Sequence, residues 1–150
     1  MKKIIATLLT FIIFTSCGYT PIYSNKNFDF KLKNIISSKD NQLNSNVEKK
    51  LLVFSNQESQ KIISLKIDVQ RKINILTKDS KGDPSRYEMI IDIKLETTYG
   101  QNQNVIRSFQ EKFNYNTNSN RFELNQYEKE VENLLINKNI DRIIAYLSKV

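Results

Sequence analysis

The chain has 150 residues, with 23 lysines and arginines against 16 aspartates and glutamates and no histidine, for a net charge of +7. That length bounds it to one domain with a modest core, and the missing histidines remove the commonest general base and metal ligand. Gly18, Gly82 and Gly100 are its only glycines, which leaves no phosphate loop and no dinucleotide fingerprint. Its single cysteine, Cys17, excludes an internal disulfide.

Lys2 and Lys3 precede an apolar run from Ile4 to Phe14 that only Thr7 and Thr10 interrupt. The run has the length of a signal-peptide hydrophobic region and is too short for a permanent bilayer span. Thr15 and Ser16 before Cys17, with Gly18 after it, resemble the bacterial lipobox, in which the cysteine receives a diacylglycerol before cleavage. Phe14 departs from that pattern, standing where leucine is commonest. Acylation also removes the liability of a free thiol in an oxidising compartment. The several acyl chains of a lipoprotein, at roughly 0.8 kcal/mol per buried methylene, anchor it firmly. Gly18, at the position where aspartate marks inner-membrane retention, resembles an outer-membrane sorting signal. The expected division is a signal peptide over residues 1–16, a lipidated tether over 17–27 and one folded domain over 28–150.

Cleavage of 16 residues from 150 leaves 134, and loss of Lys2 and Lys3 lowers the charge from +7 to +5. A positive domain favours lipid phosphates or an acidic protein surface, and export makes nucleic acid the poorest partner. Phe28, Phe30 and Leu32 alternate with Asp29, Lys31 and Lys33, predicting a short half-buried strand that ends near Ile36. Ser45 and Glu48 fit a capping box, and Leu43, Val47, Leu51 and Phe54 recur at helical spacing, so a helix is expected from about Asn46 to about Ser55.

From Ile63 the period drops to two. Leu65, Ile67 and Val69 alternate with Lys66, Asp68 and Gln70, and Ile73 and Ile75 continue the parity, predicting either one long strand or a strand with a bulge near Arg71-Lys72. Gly82 and Pro84 mark a turn. Tyr87, Met89, Ile91, Ile93, Leu95 and Thr97 define a second long strand, and Val105, Phe109 and Phe113 a third, on which Arg107 and Glu111 share the aromatic parity. Short turns make these three an antiparallel meander. Asn120 with Glu123 caps a final helix of about 25 residues, either continuous or broken near Asn137-Asn139. The fold class is therefore α+β, a two-layer sandwich of a four-stranded sheet with two helices packed on one face.

The start of the mature chain, Cys17-Gly18-Tyr19-Thr20-Pro21-Ile22-Tyr23, together with the element order from Phe28 to Val150, resembles the LPS-assembly lipoprotein LptE family in its alphaproteobacterial form. The resemblance implies an outer-membrane lipoprotein on the periplasmic side that plugs and supports an LptD-like outer-membrane β-barrel and assists lipopolysaccharide assembly. No cofactor, metal or catalytic activity is expected. Asp92 and Glu96 lie four apart on one strand, a spacing that suggests paired acids, but on a hydrophilic strand face such residues usually serve solubility.

With lipopolysaccharide as the implied ligand, basic residues around the long strands become candidate contacts: Lys66, Arg71, Lys72, Arg86 and Arg107. Guanidinium and ammonium groups beside an aliphatic strand suit a glycolipid with phosphates above acyl chains. Arg71 and Lys72 stand out because they interrupt an apolar strand, either on a bulge or with a buried stem and a free charged head. The alternative for the whole set is an ordinary solvated face. The alternative for the protein is a periplasmic ligand-binding or adaptor lipoprotein of another envelope complex.

Overall fold

The computed structural model of the chain describes residues 28–37, 41–99 and 103–150. The signal peptide, the tether and Cys17 lie outside these residues. The elements in chain order are β1 (Lys31–Ser37), α1 (Gln42–Leu52), β2 (Ile62–Lys78), β3 (Pro84–Tyr99), β4 (Gln103–Asn116) and α2 (Arg121–Leu147). They form one mixed four-stranded sheet in the order β1-β2-β3-β4 with two helices, the α+β architecture that the hydrophobic periods predict.

β1 runs parallel to β2, while β2, β3 and β4 are successive antiparallel neighbours. A parallel pair cannot be joined by a tight turn, and α1 makes the crossover. The odd-numbered residues of β3, β4 and β2 as far as Ile75 point to one face. There Ile63, Leu65, Ile67, Val69, Met89, Ile91, Ile93, Leu95, Phe109 and Tyr115 are buried. α1 covers this face over β1 and β2, and α2 covers it over β3 and β4. Neither helix hides its apolar stripe alone, and each fully buried Leu, Ile or Val contributes about 1.5–3 kcal/mol.

β1 carries a bulge between Leu32 and Asn34, which resets its parity. Leu32 is buried and Ile35 packs against the core, while Ile36 is turned out to 59 % exposure. The strand starts at Lys31 rather than at Phe28. Phe28 instead packs its ring against Phe30 and Phe54, with centroids 5.8 and 5.4 Å away.

One local expectation is corrected, and two alternatives that the sequence leaves open are decided. α1 begins at Gln42, not Asn46, because Asn41 is its cap: the Asn41 Oδ1 accepts from the Asn44 N–H at 2.8 Å, and Ser45 lies inside the helix. β2 has no bulge at Arg71-Lys72. Its register with β3 passes straight through Arg71↔Ile91 and Lys72↔Ile90, and the irregularities come later, between Ile75 and Lys78. α2 is continuous through Asn137-Asn139. Asn139 is fully buried and donates from Nδ2 to the Ile91 carbonyl at 3.1 Å, so it faces the sheet instead of ending the helix.

The hairpin between β2 and β3 turns through Gly82, whose φ of 88° is the left-handed conformation that glycine adopts without a Cβ clash. At about 3.3 Å per residue the 17 residues of β2 extend over about 55 Å. β1 accompanies only Ile62 to Ile67. Where β1 stops, the buried side chain of Asn44 takes over, its Oδ1 accepting from the Val69 N–H at 2.8 Å.

Candidate functional site

The five basic candidates occupy opposite faces of the sheet and do not form one patch. Lys66, Lys72 and Arg86 have even parity and lie on the face without helices, whereas Arg71 and Arg107 have odd parity and lie on the helix face. The open face alternates charge across strands. Lys66 lies 3.8 Å from Glu96, Lys112 lies 3.6 Å from Glu88, and Ser108 donates to Asp92. Asp92 and Glu96 are thus engaged separately. Cross-strand compensation of this kind is what a water-facing sheet requires.

Arg107 stacks its guanidinium over the Tyr146 ring, 4.7 Å from the centroid. Four residues along the same edge strand, Glu111 accepts from Arg142 of α2 at 2.8 Å. These two charges on the aromatic parity of β4 are accounted for by the helix that crosses it, which sequence spacing alone does not reveal.

Arg71 sits where strict alternation calls for an apolar residue, and it stays on the helix face. It follows Val69, the last buried residue of β2, and its guanidinium donates to Glu132 at 2.9 Å and to Glu128 at 3.0 Å, two carboxylates one turn apart on α2. Tyr115 on β4 donates to the other Glu128 oxygen at 2.7 Å. Burial, and then the hydrogen bond and negative charge of Glu128, push the Tyr115 phenol well above the usual tyrosine range. Arg71 is therefore a clamp between sheet and helix, and the expectation of a free guanidinium at this position does not hold.

Beside the clamp, α1 packs against α2. They are bridged by Lys50, whose ammonium donates to the Asn137 Oδ1 at 2.7 Å, and further along they leave a groove of about 600 Å³. Gln42, Asn46 and Lys49 line it from α1, and Lys129 and Asn133 from α2. The residues of each helix recur three or four positions apart, so each set forms one face. Arg71 and Glu132 close the groove, the one guanidinium being shared between Glu132 and Glu128, and Lys49 and Lys129 make no hydrogen bond or ion pair among the described residues. Sequence reading passes over both lysines. Their positions fit the polar stripe of any amphipathic helix, and only the docking of α1 beside α2 makes the stripes face each other.

Among the described residues no group of three or more aspartates, glutamates, histidines or cysteines is placed to hold a metal ion. No described helix is long and apolar enough to cross a membrane.

No protein-family model matches the sequence, and no curated protein matches it. Solved structures share the fold. The rare lipoprotein B from Shewanella oneidensis superposes with a TM-score of 0.60 at 14% identity, over 80% of this chain and 93% of that one. A minor lipoprotein from Acinetobacter baumannii gives 0.60 at 10% identity, over 81% and 92% of the two chains. A lipoprotein B from Nitrosomonas europaea gives 0.59 at 13%, over 81% and 83%. The architecture is thus one that small bacterial lipoproteins use, over nearly their whole length.

Proposed function

We propose that the protein is a lipid-anchored envelope lipoprotein of the LptE type, acylated at Cys17 and held on the periplasmic side of the outer membrane. The observation that carries the reading is a coincidence of two independent features. A Lys2-Lys3, apolar-run, Cys17-Gly18 start stands before a domain whose fold recurs in three solved lipoproteins. In this reading the protein plugs and supports an LptD-like β-barrel and assists lipopolysaccharide assembly as a non-enzymatic subunit. The shape suits that role: β2 and β3 make a long hairpin extending about 55 Å from the end where Phe28 enters the fold.

The test is affinity purification of the full-length protein from detergent-extracted membranes, with mass spectrometry of its mature amino terminus. The expected result is a diacylglycerol-modified Cys17 and a stoichiometric outer-membrane barrel. An unmodified Cys17 removes the lipoprotein assignment. A modified cysteine without a barrel partner leaves the lipoprotein and removes the assembly role.

A further inference from the structure

We propose that the distal half of β2 is a docking edge for an extended, acidic segment of another protein, which adds to the sheet as a fifth strand in line with β1. Residues 68–78 of β2 have no described strand on that side, because β1 accompanies only Ile62 to Ile67. Backbone N–H and C=O groups point to alternate sides along a strand. The Val69 N–H points away from β3 and donates to the Asn44 Oδ1 at 2.8 Å, so the N–H and C=O groups of Arg71 and Ile73 point the same way. No described strand pairs with them there.

The side chains mark the same stretch. Ile73 and Ile75 lie on the helix face, opposite Met89 and Tyr87 of β3. Met89 is fully buried and Tyr87 packs against the core, yet Ile73 is 38 % and Ile75 52 % exposed. Two rows of the core thus end at β2 on an uncovered isoleucine. A strand laid along this edge gains main-chain hydrogen bonds and covers both isoleucines with its own apolar side chains at alternate positions.

Charge names the occupant. Residues 71–78 contain Arg71, Lys72 and Lys78 and no acid. Arg71 is shared between Glu128 and Glu132, while Lys72 and Lys78 make no ion pair among the described residues. A second copy would bring the same lysines to the seam without a carboxylate, and like charges across a strand pair destabilise it; lysines at a sheet edge commonly guard against such self-pairing. Residues 1–27 contain no aspartate or glutamate, so that part of the chain carries no counter-charge either. Lys72 lies on the face without helices, which places the acids of the partner segment on that face and its apolar residues on the other. The segment therefore alternates acidic and apolar residues. The inference stands apart from the proposed function, since its test needs neither a barrel nor lipopolysaccharide.

The experiment uses the full-length protein in neutral detergent and fluorescent peptides of about eight residues that alternate glutamate and valine. Control peptides carry lysine for glutamate, group the same residues into two blocks, or are N-methylated on one or the other alternate set of amides. Lys72→Gln with Lys78→Gln removes the edge charges, and Lys94→Gln removes a charge from β3. Circular dichroism melts show whether each variant keeps the parental fold, and amide hydrogen exchange locates the bound peptide.

The alternating glutamate peptide is expected to bind, with affinity falling as salt rises, and to slow exchange at Arg71 and Ile73. The lysine and block peptides are expected not to bind. The edge variant is expected to lose about fivefold or more, while Lys94→Gln retains parental affinity. N-methylation of one alternate set, the one that donates to the edge, is expected to weaken binding about tenfold or more. No binding of the alternating glutamate peptide, equal affinities of parent and edge variant, undiminished binding of the block peptide or of both N-methylated forms, or protection confined to other amides overturns the proposal. A peptide-free dimer that protects Arg71 and Ile73 also overturns it and assigns the edge to a second copy.

Discussion

Two buried asparagines do opposite work. Asn44 accepts from the Val69 N–H at the point where β1 ends, an amide that has no strand beside it. Asn139 donates to the carbonyl of Ile91 on a central strand, where the ladder on either side already serves the backbone, and its own Oδ1 is buried without a partner among the described residues. Removing Asn44 therefore strands a buried donor, which costs about 1–3 kcal/mol, whereas replacing Asn139 by an apolar residue of similar shape removes an unsatisfied group. The expected outcome in urea unfolding is a clear loss of stability for Asn44→Ala. Asn139→Leu should remain within about 1 kcal/mol of the parent or exceed it. A large loss in Asn139→Leu would show that its single hydrogen bond outweighs the orphaned oxygen.

At the scale of the element, α2 is anchored unevenly. Its second half buries Leu135, Ile136, Ile140, Ile143, Ile144 and Leu147, while in its first half Phe122 and Tyr127 are exposed. That half buries only Val131, with Leu124 packed against the core, and relies further on its cap and on the Arg71 clamp. The Asn120 Oδ1 accepts from the N–H groups of Phe122 and Glu123, and its Nδ2 donates to the Glu123 carboxylate. Asn120→Ala is expected to cost about 0.5–2 kcal/mol, with faster amide exchange confined to the first turns of α2. Ser45→Ala, at the position where sequence spacing expects a cap, should change stability by less than about 0.5 kcal/mol, because Asn41 already caps α1. Equal effects of the two substitutions would return the α1 cap to Ser45.

For the molecule as a whole, the clamp ties stability to alkaline pH. The Tyr115 phenol is raised above its ordinary value by burial and by Glu128, so the folded state holds this proton more tightly than the unfolded chain does. A raised folded value contributes stability that is fully present below the unfolded pKa, about 10, and is lost as pH rises through the folded one. The parent should therefore lose stability above about pH 10 more steeply than Tyr115→Phe, which has no such proton, even though at neutral pH the variant lacks the hydrogen bond to Glu128. Urea midpoints at neutral and alkaline pH for both proteins measure this difference. Parallel profiles would mean that Tyr115 ionises like a solvated phenol.

What was legible in the residues was set by short-range physics. A period of two over Ile63–Ile75 and Tyr87–Thr97 makes strands in any compact context, and a cap at Asn120 followed by helical spacing makes a helix. The two-layer α+β arrangement then follows from the need to bury one face of each element. Even so, the β1 bulge and the cap at Asn41 escaped this reading, because Asn and Ser compete locally for the same role and the chosen partner depends on where the crossover lands. Everything about charge partners was decided by tertiary structure. Arg71, Arg107 and Glu111 read as misplaced polar residues on apolar strands, and become ordinary once Glu128, Tyr146 and Arg142 arrive from an α2 that is remote in sequence from β2 and crosses β4. The groove is of the same kind. Lys49 and Lys129 are 80 positions apart, each indistinguishable from a solvated lysine until α1 and α2 dock on one sheet, since electrostatics act through space and spacing along a chain records only its own helix.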